Sequence, residues 1–190
     1  MKKLTQSRIF SQFLVLSVLL AGALLIHAAE PPKVGDAAPD FTLNSLDGKV
    51  VTLSQETAKR MVVLVVLRGW PGYQCPICSR QVHDFVKQAN EFAGEAQVLM
   101  VYPGPADDLK VHAQEFLNDK NWPEQYLFVI DPDYTFTQSY GLRWNAKGET
   151  AYPATFIIDS KGKVQYAKIS KGHGDRSSAA EVVKEVGHIK

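Results

Sequence analysis

Seven consecutive apolar residues, Met61-Val62-Val63-Leu64-Val65-Val66-Leu67, constrain this chain more than any other stretch. A run of that length, rich in Val and without polar alternation, reads as a strand buried on both faces. Such a strand needs apolar cover above and below, which in a chain of 190 residues falls to flanking helices. The sequence supplies them. After a loop over 68–74, a helix is expected over 76–92: Cys75 stands at its N-cap, Pro76 at the first helical position, and Gly94 follows its end. Ile77, Val82, Phe85, Val86 and Ala89 supply most of its apolar stripe. A second buried strand spans 97–102, a second helix 106–118 opens on Asp107 and Asp108, and a strand over 126–130 precedes a short helix over 134–140. Residues 41–43 and 50–53, joined through Asp47-Gly48, read as a β-hairpin. Residues 155–158 and 164–169 read as another, and 177–186 as a closing helix. This order predicts an α/β fold: a mixed central sheet flanked by helices, with an N-terminal β-hairpin and an inserted strand and helix before the final β-hairpin.

Residues 1–29 stand apart. Lys2, Lys3 and Arg8 precede an apolar stretch over 13–26 broken only by Ser17, and small residues follow at Ala21-Gly22-Ala23 and Ala28-Ala29. This is the pattern of a signal peptide, or, through residues 9–29, of an N-terminal membrane anchor. Ala23 stands where a lipoprotein signal would carry Cys, which excludes lipidation. Residues 30–38 are Pro-rich and read as a linker, leaving 39–190 as the folded domain. The leader carries no acidic residue, so without it the remainder is mildly acidic. An exported location, periplasmic or otherwise extracytoplasmic, is expected, where disulfides persist and only the N-terminal segment meets membrane. With 21 Lys+Arg against 20 Asp+Glu and no basic cluster, nucleic acid is excluded as the main partner.

The chain's two cysteines, in Cys75-Pro76-Ile77-Cys78, stand at the N-cap and in the first turn of the expected 76–92 helix. There the unpaired backbone N–H groups and the helix dipole favour a negatively charged sulfur, and a thiolate is the reactive form. Residues three apart at a helix start also close a disulfide with little backbone movement. A structural disulfide across two residues would add little loop-closure stability, a zinc site needs four ligands, and inert thiols seldom stand at a helix N-terminus. The spacing therefore points to redox cycling that needs no cofactor beyond a Cys75–Cys78 disulfide.

From Val34 onward the chain resembles the redoxin, or AhpC/TSA, branch of the thioredoxin superfamily, which includes peroxiredoxins. The resemblance rests on Gly35-Asp36-Ala37-Ala38-Pro39-Asp40-Phe41-Thr42-Leu43, Asp47-Gly48-Lys49, and Thr155-Phe156-Ile157-Ile158-Asp159 with Gly162. It implies a thioredoxin-like fold. Pro71, Cys75 and Cys78 keep peroxiredoxin spacing, with Cys75 where that family has Thr and Cys78 at the peroxidatic position. Thioredoxins instead place Trp immediately before the dithiol; here Trp70 is five residues earlier. At Pro153 peroxiredoxins often carry an Arg and thioredoxins a cis-Pro, so a cis Tyr152–Pro153 bond is expected, with Arg68 or Arg143 as candidate replacements for the missing cation. The final hairpin returns Lys171-Gly172-His173-Gly174 to the same sheet edge, where His173 is a candidate proton shuttle, Lys171 a candidate thiolate partner, and a plain flexible turn the alternative. His83 faces away from Cys78 and reads as a surface residue. Trp70 and Tyr73 flank Gly72 as a candidate apolar lip for a thiol partner or as packing residues. No acid in 61–67 stands behind the dithiol as proton acceptor.

The resulting expectation is an exported thiol–disulfide oxidoreductase of redoxin type, Cys75 attacking and Cys78 resolving, with Pro153 suited to docking an extended peptide. One alternative is a thiol-dependent peroxidase with Cys78 peroxidatic and Cys75 resolving. The expected partners are a thiol or disulfide protein, a reductant of thioredoxin-like kind, and peroxide as small substrate. A second alternative is a copper-binding assembly protein of the same fold, although such proteins carry three residues between the cysteines and a partner His.

Overall fold

The computed structural model describes residues 29–118 and 120–189. The signal or anchor reading of residues 1–28 lies outside them, and no helix among the described residues is long and apolar enough to cross a membrane. The chain runs β1 (Thr42–Ser45), β2 (Val50–Thr52), α1 (Leu53–Thr57), β3 (Met61–Val66), α2 (Pro76–Lys87), α3 (Ala89–Phe92) and β4 (Ala96–Gly104). It continues through α4 (Leu109–Leu117), β5 (Leu127–Pro132), α5 (Thr135–Ser139), β6 (Ala154–Ile158), β7 (Val164–Ile169) and α6 (Ala179–His188). The seven strands form one sheet in the order β2-β1-β5-β4-β3-β6-β7. β3 pairs parallel with β4 and antiparallel with β6, which makes the sheet mixed, as the element order predicts. The inserted β5 is not peripheral: it pairs with β4 on one side and β1 on the other, joining the N-terminal hairpin to the sheet.

The apolar run earns its central place by alternation. Val63, Val65 and Leu67 point into one core with Cys75, Cys78, Val82 and Phe85, while Val62, Leu64 and Val66 point into the other with Phe136, Tyr140 and Leu142. All six β3-run residues from Val62 to Leu67 are fully buried. Each contributes roughly 1.5–3 kcal/mol of burial, enough to make the strand the anchor of both layers.

Several boundaries differ from the sequence reading, each for a local reason. The helix expected over 76–92 breaks at Gln88, and the break turns Ala89 and Phe92 inward, where Phe92 stacks on Phe85 at 5.6 Å. Asp107 and Asp108 precede α4 instead of opening it, with Asp108 in the left-handed region at φ 55°. The 30–38 stretch is docked along the β6–β7 turn: Gly35 N–H donates to Val164 O at 2.8 Å, and Ala38 N–H to Gly162 O at 2.9 Å. Tyr152–Pro153 is trans, correcting the expected cis bond; no cis bond occurs among the described residues. Extended pairing continues straight through it, with Tyr152 N–H on Leu142 O and Ser170 N–H on Pro153 O, both at 2.8 Å.

The exit of β3 is fixed by Gly69. Its φ is +76°, and a Cβ built there would lie 1.9 Å from Pro103 O, the same carbonyl that accepts Trp70 N–H at 2.9 Å. Only glycine lets the loop toward the cysteines lie this close to the end of β4. Gly69→Ala is expected to lose roughly 2–4 kcal/mol, read as a lower urea midpoint at unchanged m-value.

Candidate active site

Both sulfurs sit at the head of α2, and the strand–loop–helix connection puts them there. Cys75 is the N-cap, in extended conformation, and its Sγ accepts the Cys78 N–H at 3.4 Å. Pro76 follows at the first helical position, where its missing N–H costs nothing. Cys78 lies one turn on, pointing into the core beneath β3. Both thiols are free.

Their environments differ in kind. Cys75 is 3% exposed and forms part of the wall of a surface depression of about 420 Å³, with Gln74, Pro76 and Phe116. Cys78 is fully buried. A hydrogen bond from the Cys78 thiol does most to hold Cys75 down at about 5, against burial, with further help from the Cys78 N–H, the charge of Arg176 and the Ile77 N–H. Burial pushes the Cys78 thiol well up, and the neighbouring Cys75 thiolate pushes it further. The pair thus carries one negative charge, on the outer sulfur, and one proton, on the inner sulfur.

Arg176 is the cation of the site. Its Nη1 lies 3.3 Å from Cys78 Sγ and donates to Gln81 Oε1 at 3.0 Å, while Nε donates to His173 O at 2.8 Å. Its other amino group, Nη2, is buried and has no partner among the described residues. The loop that carries Arg176 is tied to α2 at two further points: Gln81 Nε2 donates to Ser177 O at 3.3 Å, and Asp84 accepts the Ala179 N–H at the start of α6 at 2.7 Å. Behind the sulfurs, Tyr102 of β4 donates to Gln74 Oε1 at 2.9 Å. Burial, then the charges of Cys78 and Cys75, raise its hydroxyl.

The other residues singled out by sequence fall into two groups. Pro153 is buried one residue beyond Ala154, which pairs with Val66, so it lies at the end of β3 from which the cysteine loop departs. Trp70 packs on the dithiol core and stacks on His112 at 3.6 Å, and Pro71 follows it half-buried. Tyr73 is exposed, its hydroxyl accepting from Arg68 Nη1 at 2.5 Å. Arg68 is otherwise committed to Glu149 at 2.7 Å and Gly148 O at 2.7 Å, and the same Glu149 holds His173 Nε2 at 3.0 Å. Arg143 donates to the carbonyls of Trp144, Glu149 and Thr150 and lies over the Tyr134 ring. Neither Arg68 nor Arg143 is the cation on the sulfurs; both are absorbed by the 143–151 turn. Lys171 and His83 are exposed. Sequence reasoning missed Arg176, although it lies in the same returning loop as His173. Among the described residues no group of three or more His, Cys, Asp or Glu is arranged to hold a metal ion.

A thioredoxin-like sheet with an acidified dithiol at a helix head defines a thiol redox protein. The Redoxin family model matches residues 33–183, and the chain belongs to that family. It is 26% identical over 156 residues to a thiol peroxidase of Listeria innocua, covering 80% of this chain and 88% of that protein. It is 27% identical over 132 residues to the chloroplastic peroxiredoxin Q of Oryza sativa subsp. japonica, covering 70% of this chain and 57% of the rice protein. The fold superposes on a peroxiredoxin-like protein from Aquifex aeolicus with a TM-score of 0.69 and 23% identity, over 86% of this chain and 91% of that one. It also superposes on the peroxidoxin BcpB from Mycobacterium tuberculosis with a TM-score of 0.66 and 24% identity, over 84% and 99%. The protein is an oxidoreductase.

Because the thiolate is the reactive form, Cys75 alkylation should rise with pH to a plateau, with a midpoint near 5, and stay flat from about 6 to 8. Iodoacetamide labelling followed by mass spectrometry reads this, and Arg176→Met should move the midpoint upward.

Proposed function

We propose that the protein is a thiol-dependent peroxidase working outside the cytoplasm, in which Cys75 attacks the peroxide and Cys78 resolves. The observation that carries this reading is the division of labour between the sulfurs: an ionised Cys75 in the wall of an open depression, and a protonated Cys78 beneath it with Arg176 at 3.3 Å. The similarity to the Listeria thiol peroxidase supports it, and the leader pattern of residues 1–29 supports the location.

The steps balance as follows. Cys75 thiolate attacks the near oxygen of ROOH, the O–O bond breaks, and Cys75 becomes a sulfenic acid while RO⁻ departs. The Cys78 thiol gives its proton to RO⁻, releasing ROH, and Arg176 stabilises the Cys78 thiolate thus formed. That thiolate attacks the Cys75 sulfur, closing the disulfide and expelling hydroxide. A dithiol reductant of thioredoxin-like kind restores the pair with two electrons. This assignment reverses the roles that family spacing implies for peroxide, because a sealed sulfur with a raised thiol is a poor first nucleophile.

Thiol–disulfide exchange is the second reading, favoured by the size of the depression beside Cys75, which at about 420 Å³ is far larger than hydrogen peroxide needs.

Single-cysteine variants separate these readings. Cys75→Ser should slow peroxide consumption by about 10²-fold at pH 7, since the remaining sulfur is the sealed one, whose thiol burial holds in its protonated form. Cys78→Ser should react once and hold a sulfenic acid on Cys75, trapped by dimedone and located by mass spectrometry. A sulfenic acid formed on Cys78 at parental speed in Cys75→Ser would instead give the attack to Cys78. If the parent consumes peroxide no faster than free cysteine but reduces insulin disulfides, exchange is its activity.

A further inference from the structure

The depression beside Cys75 does not end at the active site. A second depression of about 450 Å³ shares Ser79, Arg80 and Lys120 with the first and runs on past His83 to Lys87, so a continuous trough follows the outer face of α2 away from the sulfur. Arg80 and Lys87 are exposed, and their side chains make no ion pair or hydrogen bond among the described residues. They lie seven residues apart, two turns along one helix face, which separates them by about 10 Å. The two carboxylates that line the trough are engaged: Asp84 accepts from the Ala179 N–H and from Gln88 Nε2, and Glu115 is bonded to His112 Nδ1. The floor at the sulfur end is apolar, formed by Pro76 and the Phe116 ring with Lys120 Nζ over it at 4.3 Å.

We propose that this trough docks an extended, acidic segment of the protein dithiol that reduces the Cys75–Cys78 disulfide. The inference rests on the redox cycle above and names the partner's chemistry. Three features fit that occupant. The trough is open and elongated, as an extended chain requires, whereas hydrogen peroxide needs none of it. Two available cations about 10 Å apart match acidic side chains two to four residues apart in an extended strand, which rises about 3.3 Å per residue. The sulfur at the trough's end is Cys75, so an incoming thiolate held there meets the outer sulfur. Its attack forms a partner–Cys75 disulfide and breaks the Cys75–Cys78 bond. The leaving electron pair resides on Cys78 beside Arg176. The partner's second thiol then releases Cys75 as a thiolate and leaves the partner oxidised.

The test uses the full chain oxidised with diamide, so its readout does not depend on peroxide chemistry. Three decapeptides with one central Cys, flanked by Asp and Glu, by Ser and Gln, or by Lys, are mixed with the oxidised protein at low ionic strength. The rate of mixed-disulfide formation on Cys75 is followed by mass spectrometry, and each rate is divided by the same peptide's rate with hydroxyethyl disulfide to remove differences in thiol acidity. The acidic peptide should exceed the basic one by about tenfold, and the ratio should fall toward one in 1 M salt, where the Debye length is about 3 Å. The double variant Arg80→Glu with Lys87→Glu should invert the order, and Arg80→Gln with Lys87→Gln should abolish it. A ratio of one or less in the parent at low salt would overturn the proposal, whatever the peroxide assay gives. So would a preference that survives both double variants.

Discussion

Two sulfur atoms share one turn of helix and can hold only one negative charge between them at neutral pH. Everything else in the site follows from where that charge is kept. The N-cap position leaves Cys75 facing the unpaired N–H groups of the first turn, and one helical turn of depth separates it from the sealed Cys78. Since the inner thiol donates toward the outer sulfur, each stabilises the other's protonation state. The proton on Cys78 is therefore part of what makes Cys75 acidic, and in the proposed peroxidase cycle it is the proton given to the leaving alkoxide when Cys75 attacks the peroxide oxygen. A lone cysteine at the same N-cap would have the helix but not this internal acid.

Holding the charge outward raises a second problem, because Cys78 must itself become a thiolate before a disulfide can close. In the proposed cycle Arg176 serves that step. It reaches the buried sulfur from a loop far along the chain, and it is held by bonds to Gln81 and to the His173 carbonyl. The α2 and α6 helices are clamped together at Asp84 and Ala179, one turn from that guanidinium, so its position is a property of helix packing and not of the loop alone. Glu149 bonds both the buried Arg68 and the half-buried His173, which fixes the opposite flank of the same loop. Two sets of charges thus divide the work: one orients the 171–176 loop, and the other meets sulfur.

The sheet, the dithiol and its place at a helix head were legible in the sequence because each rests on local pattern. The 61–67 run, the Pro76 start and the Asp159–Gly162 turn carry their structural meaning in the residues themselves. Arg176 was not legible, since a cation's contacts depend on tertiary packing: Arg68, Arg143 and Arg176 all lie near the same end of the sheet, and nothing in their neighbours says which turns inward. The trans Tyr152–Pro153 bond was missed for a related reason. Pairing to Leu142 and Ser170 on either side decides that geometry, and both partners are distant or out of register in sequence. The break at Gln88 escaped because helix-forming residues continue through it, and only the demand for Phe92 against Phe85 interrupts them.

In the proposed cycle attacker and resolver stand three residues apart, which also governs how much the fold must move during turnover. A resolving cysteine on another element would have to be brought across the site after each oxidation, at the cost of partly unfolding whatever holds the first one. Here the second sulfur is already within the same turn, and closing a bond between an N-cap and the first turn needs little backbone displacement. The groups that surround the dithiol can therefore stay rigid: Tyr102 on Gln74, Trp70 on His112, and Arg176 on Gln81. Rigidity has a consequence for substrate access. With Cys78 fully buried and Cys75 in the wall of the depression, the proposed cycle has each partner arrive at Cys75, from the side of the trough along α2.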